Sequence, residues 1–388
     1  MKTDNTGLKI LGIETSCDDT AAAIIKVKDN KIRILSNIIS SQIKIHRKYG
    51  GVFPELASRA HLENIVPVVN EALDKAKTNL SKIDLLAVTT GPGLIGSLLV
   101  GVNFAKTLAY SLNKPIIGVN HIEGHIYSSF AREIRNPKSE IRIVAKGDSA
   151  AKAEYKLQIT NLKFKTIFPA IALIVSGGHT SLILIKKLGS YNIIGQTRDD
   201  AAGEAFDKVA ALLGLPYPGG PAIEAAASKL KSKNEKLKIT LPRPMINSNN
   251  LDFSFAGLKT AVLYLLQQLP NGRNQNVRQA VAKEFQQAVV DVLVSKTIKA
   301  ARKYHAKTIL LGGGVASNSS LRSEFRSKIK NEKLKIKFLV PPKILCTDNA
   351  AMIAIAGYHK YSAHLKTNHF KWYNIKADAN AKLESWRL

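Results

Sequence analysis

The chain has 388 residues, enough for two lobes with separate cores and too long for a single small module. Lysine and arginine number 57 against 29 aspartates and glutamates, and the excess of 28 is spread from Lys26 to Lys382 rather than confined to one tail, which favours a polyanionic partner such as nucleic acid over a merely solvated lysine-rich surface. Two cysteines, Cys17 and Cys346, exclude a disulfide framework and a cysteine-ligated zinc, so any metal must use histidine and carboxylate.

The polar start Met1-Lys2-Thr3-Asp4-Asn5 has no apolar signal core. The most apolar stretch, residues 92–112, is interrupted by Asn103 and Lys106. A soluble, cytoplasmic protein with no membrane partner is expected. In chain order, residues 9–13 read as a strand, Glu14-Thr15-Ser16-Cys17-Asp18-Asp19-Thr20 as a polar turn, and 21–27 as a second strand. The result is a hairpin whose tip carries small residues, hydroxyls and carboxylates. Residues 83–90 read as a strand running into Gly91-Pro92-Gly93-Leu94-Ile95-Gly96-Ser97 and an apolar helix. Gly91, Gly93 and Gly96 fit G-x-G-x-x-G, but no acidic residue follows at about twenty positions to hold a ribose, the nearest being Glu123. Ser97 stands where a P-loop would have lysine.

Residues 115–119 form a further strand, leading into Asn120-His121-Ile122-Glu123-Gly124-His125. In a helix, His121 and His125 lie at i and i+4 on one face and can share a metal ion, or else simply hydrogen-bond there. A zincin would need glutamate after the first histidine as general base. Ile122 occupies that place and Glu123 lies off the shared face, which opposes a metalloprotease.

Residues 136–166, with Lys138, Arg142, Lys146, Lys152, Lys156, Lys163 and Lys165, lack a sustained period and read as a basic surface insertion. The earlier plan then returns. Residues 170–175, Ser176-Gly177-Gly178-His179-Thr180 and 181–185 make a second hairpin. Strand 308–311 leads through Gly312-Gly313-Gly314-Val315-Ala316-Ser317-Asn318 into a polar helix. The paired arrangement predicts an α/β protein of two duplicated lobes, with four glycine-rich turns facing a nucleotide in a cleft. For any single turn, tight packing is the better explanation of the glycines.

Asp207, in a helix following Asp199 and Asp200, is either a ligand or a partner of a helix dipole. Tyr217-Pro218-Gly219-Gly220-Pro221 opens another helix, and 253–269 and 277–304 read as core-packed helices. Asp348, near the start of a small-residue helix after strand 336–340, is either its N-cap or the third ligand that would complete a set of two histidines and one carboxylate. The expected division is 8–133 for the first lobe, 136–166 for the insertion, 168–345 for the second lobe, and 346–388 for a segment returning to the histidines.

Gly12-Ile13-Glu14-Thr15-Ser16-Cys17-Asp18-Asp19-Thr20, Phe53-Pro54-Glu55-Leu56-Ala57-Ser58-Arg59, the 121–125 helix, Ser176 to Thr180, Gly203 to Lys208, Gly312 to Asn318 and Thr347 to Ala354 run in order through nearly the whole chain. In these motifs the sequence resembles the bacterial-type TsaD family of tRNA N6-adenosine threonylcarbamoyltransferases, once labelled O-sialoglycoprotein endopeptidases. The resemblance implies the two-lobed fold of the actin, Hsp70 and sugar-kinase superfamily. It implies transfer of the threonylcarbamoyl group of threonylcarbamoyl-AMP to N6 of the adenosine 3′ to the anticodon in tRNAs reading codons that begin with A, with AMP leaving. The metal ligands it implies are His121, His125 and Asp348, holding one divalent ion, with iron (Fe2+) put ahead of zinc. The adenylate contacts it implies are Ile174, Val175, Ser176, Gly177, Gly178, Asp207, Gly220 and Asn318, with Glu224 a weaker carry-over. TsaB and TsaE are the implied protein partners, and TsaC the supplier of the adenylate. No spacing marks a general base for N6. The departure from the family is the basic segment 136–166, which ordinary members replace by a shorter connection. A regulatory ATPase of the same fold is the competing non-transferase reading, and it would leave the histidine helix and the charge without a role.

Overall fold

The computed structural model describes residues 7–29, 31–133, 157–159, 166–230, 239–268, 274–364 and 370–386. They fall into two compact units, one drawn from 1–163 together with 347–388 and the other from 164–346. The first unit opens with the antiparallel strands β1 (Leu8–Glu14), β2 (Asp19–Lys28) and β3 (Lys31–Ser41), followed by the short α1 (Ile43–His46) and the long α2 (Pro54–Lys75). β4 (Leu85–Gly91), α3 (Ile95–Ser111), β5 (Ile116–Asn120) and α4 (His121–Ser128) come next, β4 pairing in parallel with β1 and with β5. β6 (Arg132–Glu133) and β7 (Leu157–Ile159) extend the sheet beyond β3, giving the order β5-β4-β1-β2-β3-β7-β6.

The second unit contains β8 (Ala170–Val175), β9 (Thr180–Ile185), β10 (Tyr191–Gln196), α5 (Ala202–Leu212), α6 (Gly219–Ser228), α7 (Ala256–Gln268), α8 (Gln275–Lys303), β11 (Thr308–Gly312), α9 (Ser319–Asn331) and β12 (Lys337–Leu339). Its sheet order is β10-β9-β8-β11-β12, antiparallel through β8, β9 and β10 and parallel through β8, β11 and β12. This repeats the β3-β2-β1-β4-β5 core of the first sheet strand for strand. The duplication expected from the two hairpins and the two strand–glycine–helix turns is therefore a property of the fold. The last helix, α10 (Ala350–Ala363), returns to the first unit.

Burial explains why β1 and β2 read as almost unbroken apolar runs. Central strands covered on both faces cannot alternate apolar with polar residues. Leu11 and Ile13 of β1 join Ile65, Val68 and Val69 of α2 and Val102 and Ala105 of α3 in one core. The alternate residues of β1 face the opposite side, where α10 lies. There a Cβ on Gly12 would fall 2.3 Å from the Ala350 carbonyl oxygen. Two positions on, the same alternation turns the Glu14 side chain toward the α10 side. The second unit is organised by α8, capped by Asn274 accepting from the Asn276 N–H at 2.9 Å. Its Phe285, Val289 and Leu293 are completely buried between the sheet and the neighbouring helices.

Within residues 136–166, the structure describes Leu157–Ile159 and Thr166; the seven basic residues named above lie outside the described residues. Leu157–Ile159 form a short strand within the segment. They pair antiparallel with β3, Ile159 opposite Ile32, and Ile159 is buried. Three residues are too few to display a period in sequence. Among the described residues, no helix is long and apolar enough to cross a membrane.

Because α10 touches β1 through Gly12, Gly12→Val is expected to lower stability by about 1–3 kcal/mol through overpacking, read as a lower thermal unfolding midpoint. An unchanged midpoint would contradict this packing.

Candidate metal centre and glycine-turn site

Parallel β1, β4 and β5 end on the same edge of the first sheet, and each delivers a side chain there. β5 runs directly into α4, whose first turn is set by Asn120. Its Oδ1 accepts from the Ile122 N–H at 2.9 Å and the Glu123 N–H at 3.4 Å, satisfying two otherwise unpaired donors. The cap places His121 at the first helical position and His125 one turn on, both buried. Asp348 precedes α10, but the N-cap of that helix is Asn349, which accepts from the Met352 N–H at 3.0 Å. The capping alternative for Asp348 is thereby resolved, and its carboxylate is turned to the histidines. Its Oδ1 lies 3.5 Å from His121 Nε2 and 3.3 Å from His125 Nε2. One candidate donor atom from each of the three lies within 4.8 Å of the others.

A supporting set holds His121. Its Nδ1 lies 3.1 Å from Glu14 Oε2 and 3.1 Å from Ser16 Oγ. Glu14 in turn accepts from the Thr89 hydroxyl at 2.6 Å and the Ser16 N–H at 2.6 Å. This is the arrangement in which a carboxylate orients a histidine and leaves its far nitrogen to act as ligand. Sequence reading placed Glu14 in a polar turn without this role. Its position in a strand two residues past Gly12 was the available signal.

The electrostatics follow from burial and opposed charges. Burial pushes His121 down, but the Asp348 and Glu14 carboxylates overcome it and raise the imidazole to about 9. Burial pushes Glu14 up, and the His121 charge and hydrogen bond outweigh it, leaving the carboxyl below its usual range. Burial dominates at His125 and lowers it despite Asp348. Burial together with Asp348 raises Asp18; burial, Asp18 and Asp348 raise Asp19 well above the usual range, and burial with the same carboxylates does so for the Cys17 thiol. Cys17, Asp18 and Asp19 therefore feel the charge of the histidine–carboxylate group, which the sequence pattern did not reveal.

The residues fit a divalent ion. Neither ring nitrogen of the fully buried His125 satisfies hydrogen-bond geometry, and Nε2 instead stands within ion-pair distance of Asp348. A buried imidazole so arranged gains most from a cation on that nitrogen. The protease reading fails on the same helix. Ile122 is core, and Glu123 accepts from the Trp386 indole at 2.6 Å, on the side of the C-terminal tail.

The second unit gathers the other candidates at the carboxyl ends of β8 and β11, where ligands commonly bind in open α/β sheets. The β8–β9 turn is closed by Ser176 N–H donating to the His179 carbonyl at 2.8 Å and His179 N–H donating to Ser176 Oγ at 3.2 Å. Ile174 and Val175 are buried strand residues below it. Asp207 accepts from the Gly219 N–H at 2.6 Å, which makes it a partner of the N-terminus of α6. Glu224 accepts from the Ser319 N–H at 2.9 Å. Asn318 caps α9 through the Leu321 N–H at 2.9 Å and donates to Gln286 at 2.8 Å. A Cβ on Gly177, Gly178 or Gly220 would meet open space.

Two glycine turns each contain a glycine that packing requires. In the first unit, the Gly93 N–H donates to the Ala379 carbonyl, and a Cβ on Gly91 would fall 1.9 Å from the Asp378 carbonyl oxygen. The chain's own tail fills the 91–93 turn, which removes it from the expected nucleotide contacts. In the second, Gly313 has φ +89° and a Cβ there would fall 2.3 Å from the Val175 carbonyl oxygen.

Fold and donor set together define a duplicated α/β protein of the actin, Hsp70 and sugar-kinase superfamily that carries a group of two histidines and one carboxylate in its first unit. Comparison with known proteins narrows this. Residues 33–158 and 149–355 match the family described as TsaD, tRNA N6-adenosine threonylcarbamoyltransferase. The tRNA N6-adenosine threonylcarbamoyltransferase of Moorella thermoacetica is 49% identical over 356 residues, covering 92% of this chain and 93% of that protein. The Bacillus subtilis protein of the same name is 46% identical over 348 residues, covering 90% and 89%. The chain belongs to this family. Among solved structures, HypF of T. kodakarensis matches with a TM-score of 0.55 at 13% identity, covering 94% of this chain and 48% of that one, which is a likeness of fold.

The glycine geometries predict a contrast. Gly313→Val should lower the unfolding midpoint, since a β-branched residue neither fits the space nor adopts that φ. Gly177→Val should leave the midpoint close to that of the wild type. Equal destabilisation of both in a thermal melt would contradict the assignment.

Proposed function

We propose that the chain transfers the threonylcarbamoyl group of threonylcarbamoyl-AMP to N6 of the adenosine 3′ to the anticodon, in tRNAs reading codons that begin with A, and releases AMP. The observation that carries this reading is the His121–His125–Asp348 group, its histidines buried and its carboxylate half-buried, with Glu14 behind His121, in a chain of the threonylcarbamoyltransferase family. His121, His125 and Asp348 would hold one divalent ion, iron (Fe2+) ahead of zinc, the donor set being compatible with both. When bound, the ion supplies Lewis-acid polarisation and a grip on oxygen donors of the substrate.

The mixed anhydride is already activated, so the protein's task is to orient a weak amine and stabilise charge developing on oxygen. N6 forms the new bond to the carbamoyl carbon, the bond to phosphate oxygen breaks, and AMP departs. The N6 proton passes to solvent or to the departing phosphate oxygen. The open turn at Gly177 and Gly178, with Gly220 and Asn318, would receive the AMP portion. The excess of 28 positive charges supplies phosphate contacts for tRNA. TsaB and TsaE as partners, with TsaC supplying the adenylate, fit the exposed Leu62 and Val66 on α2 and Ile95 and Leu99 on the adjoining α3, an apolar surface suited to a protein partner. A cytoplasmic location follows from this substrate.

The test is mass spectrometry of tRNA nucleosides from cells depleted of the protein. Threonylcarbamoyladenosine should disappear and return with the wild-type gene, but not with His121→Ala or Asp348→Ala. Its persistence in depleted cells, or full rescue by both variants, would contradict the reading.

A further inference from the structure

The turn of residues 14–20 carries most of the groups around the histidine–carboxylate set. Glu14 and Ser16 hold His121, and Cys17, Asp18 and Asp19 feel the charge of Asp348. A polar turn of this kind has many backbone groups to satisfy and little apolar surface of its own, so its position depends on what grips it. On the α3 side, the Thr15 hydroxyl donates to the Ser97 carbonyl at 2.9 Å, and the Leu94 N–H donates to the Ser16 carbonyl at 2.8 Å. On the other side, Asp19 and Thr20 pair with Ser41 and Ser40 of β3, and the remaining grip comes from α2 and from the connection that precedes it.

His61, completely buried on the inner face of α2, makes both side-chain contacts there. Its Nε2 lies 2.9 Å from the Cys17 carbonyl oxygen and its Nδ1 2.7 Å from Thr20 Oγ1. A carbonyl oxygen only accepts, so the ring proton sits on Nε2, and Nδ1 accepts from the Thr20 hydroxyl. Burial lowers the imidazole below its ordinary range, in keeping with a neutral ring. Beside it, Gln42 donates its N–H to the Asp18 carbonyl at 3.0 Å and its side-chain amide to the Ala57 carbonyl at 3.3 Å, while its Oε1 is 3.0 Å from His46 Nε2. His46 Nδ1 accepts from the Phe53 N–H at 3.2 Å, at the start of α2. The residues at both ends of Asp18-Asp19 are thus tied to one helix.

We propose that His61 is a positioning residue of the transfer reaction: by holding Cys17 and Thr20, it fixes the turn whose Glu14 and Ser16 hold His121. The hydrogen bonds of the His61 ring go to Cys17 and Thr20 and not to the metal donors, so its effect is on the turn. This role rests on the transferase reading given above, whereas the local anchoring beneath it does not.

The test compares full-length His61→Leu, His61→Gln and His61→Asn with wild type. The first readout is the alkylation rate of Cys17 by iodoacetamide, with buried Cys346 as internal control. A glutamine amide can still donate to the Cys17 carbonyl, whereas asparagine is too short and leucine cannot. Leu and Asn should therefore raise Cys17 alkylation about tenfold, the worth of one lost buried hydrogen bond, with Cys346 unchanged and Gln close to wild type. The second readout is threonylcarbamoyl transfer per metal-loaded molecule. kcat should fall at least about tenfold in Leu and Asn and recover in Gln, with KM for threonylcarbamoyl-AMP within about twofold. Should Leu fail to fold, the Gln and Asn pair carries the test. Unchanged Cys17 alkylation, or Cys346 rising in step with it, would overturn the anchoring. Faster Cys17 alkylation with unchanged kcat would overturn the positioning role. Absence of transfer in the wild type would count against the transferase reading and leave the alkylation result to stand or fall alone.

Discussion

The contact on which the first unit depends is the buried pairing of Glu14 with His121. A carboxylate taken wholly out of water is costly unless it is paired and hydrogen-bonded, and Glu14 is both, through His121, Thr89 and the Ser16 N–H. That requirement ties together the ends of β1, β4 and α4, because each supplies one of the partners. It also fixes which nitrogen of His121 turns toward Asp348. Strand alternation, the bare Gly12 that admits α10, and the Asn349 cap that relieves Asp348 of capping all converge on this arrangement.

The two units share a strand order and use it differently. In the second, the β8–β9 turn is open at Gly177 and Gly178, and the start of α5 packs on it, the Gly203 N–H donating to the Ser176 carbonyl at 3.2 Å. In the first, the strand–glycine–helix turn at 91–93 is occupied by the backbone of residues 378 and 379, and the chain continues to Trp386 on Glu123. Duplication supplies the frame, and local packing decides which turn is open to a ligand. Glycine-rich turns in the sequence therefore include an open turn and a packed corner.

Much of this frame was legible because it rests on local rules. Hairpins with small polar tips, glycine turns after apolar strands, and histidines at i and i+4 all announce themselves over a few residues. β3 did not, because its Ser36 and Asn37 break the apolar run. They are tolerated in the buried strand only because Ser36 donates to the Ala72 carbonyl and Asn37 accepts from the Ala351 N–H, partners far away in sequence. The roles of Glu14 and His61 were hidden for the same reason, their partners lying 107 and 44 residues away. β7 was too short to carry a pattern. Asp207 and Asp348 each had two readings in sequence. Geometry separated them at Asp348, giving the cap of α10 to Asn349 in its place, while Asp207 accepts from the Gly219 N–H at the start of α6.

The central claim is that the group of His121, His125 and Asp348 is a metal centre whose donors are nitrogen and oxygen. X-ray absorption spectroscopy of the purified protein carrying Fe(II) or Zn(II) tests it most directly. The account predicts a first shell of oxygen and nitrogen scatterers at about 2.0–2.2 Å, with the outer-shell signature of two imidazoles and no sulfur. A sulfur scatterer at about 2.3 Å, which would bring Cys17 into the shell, or a spectrum without imidazole features, would contradict it.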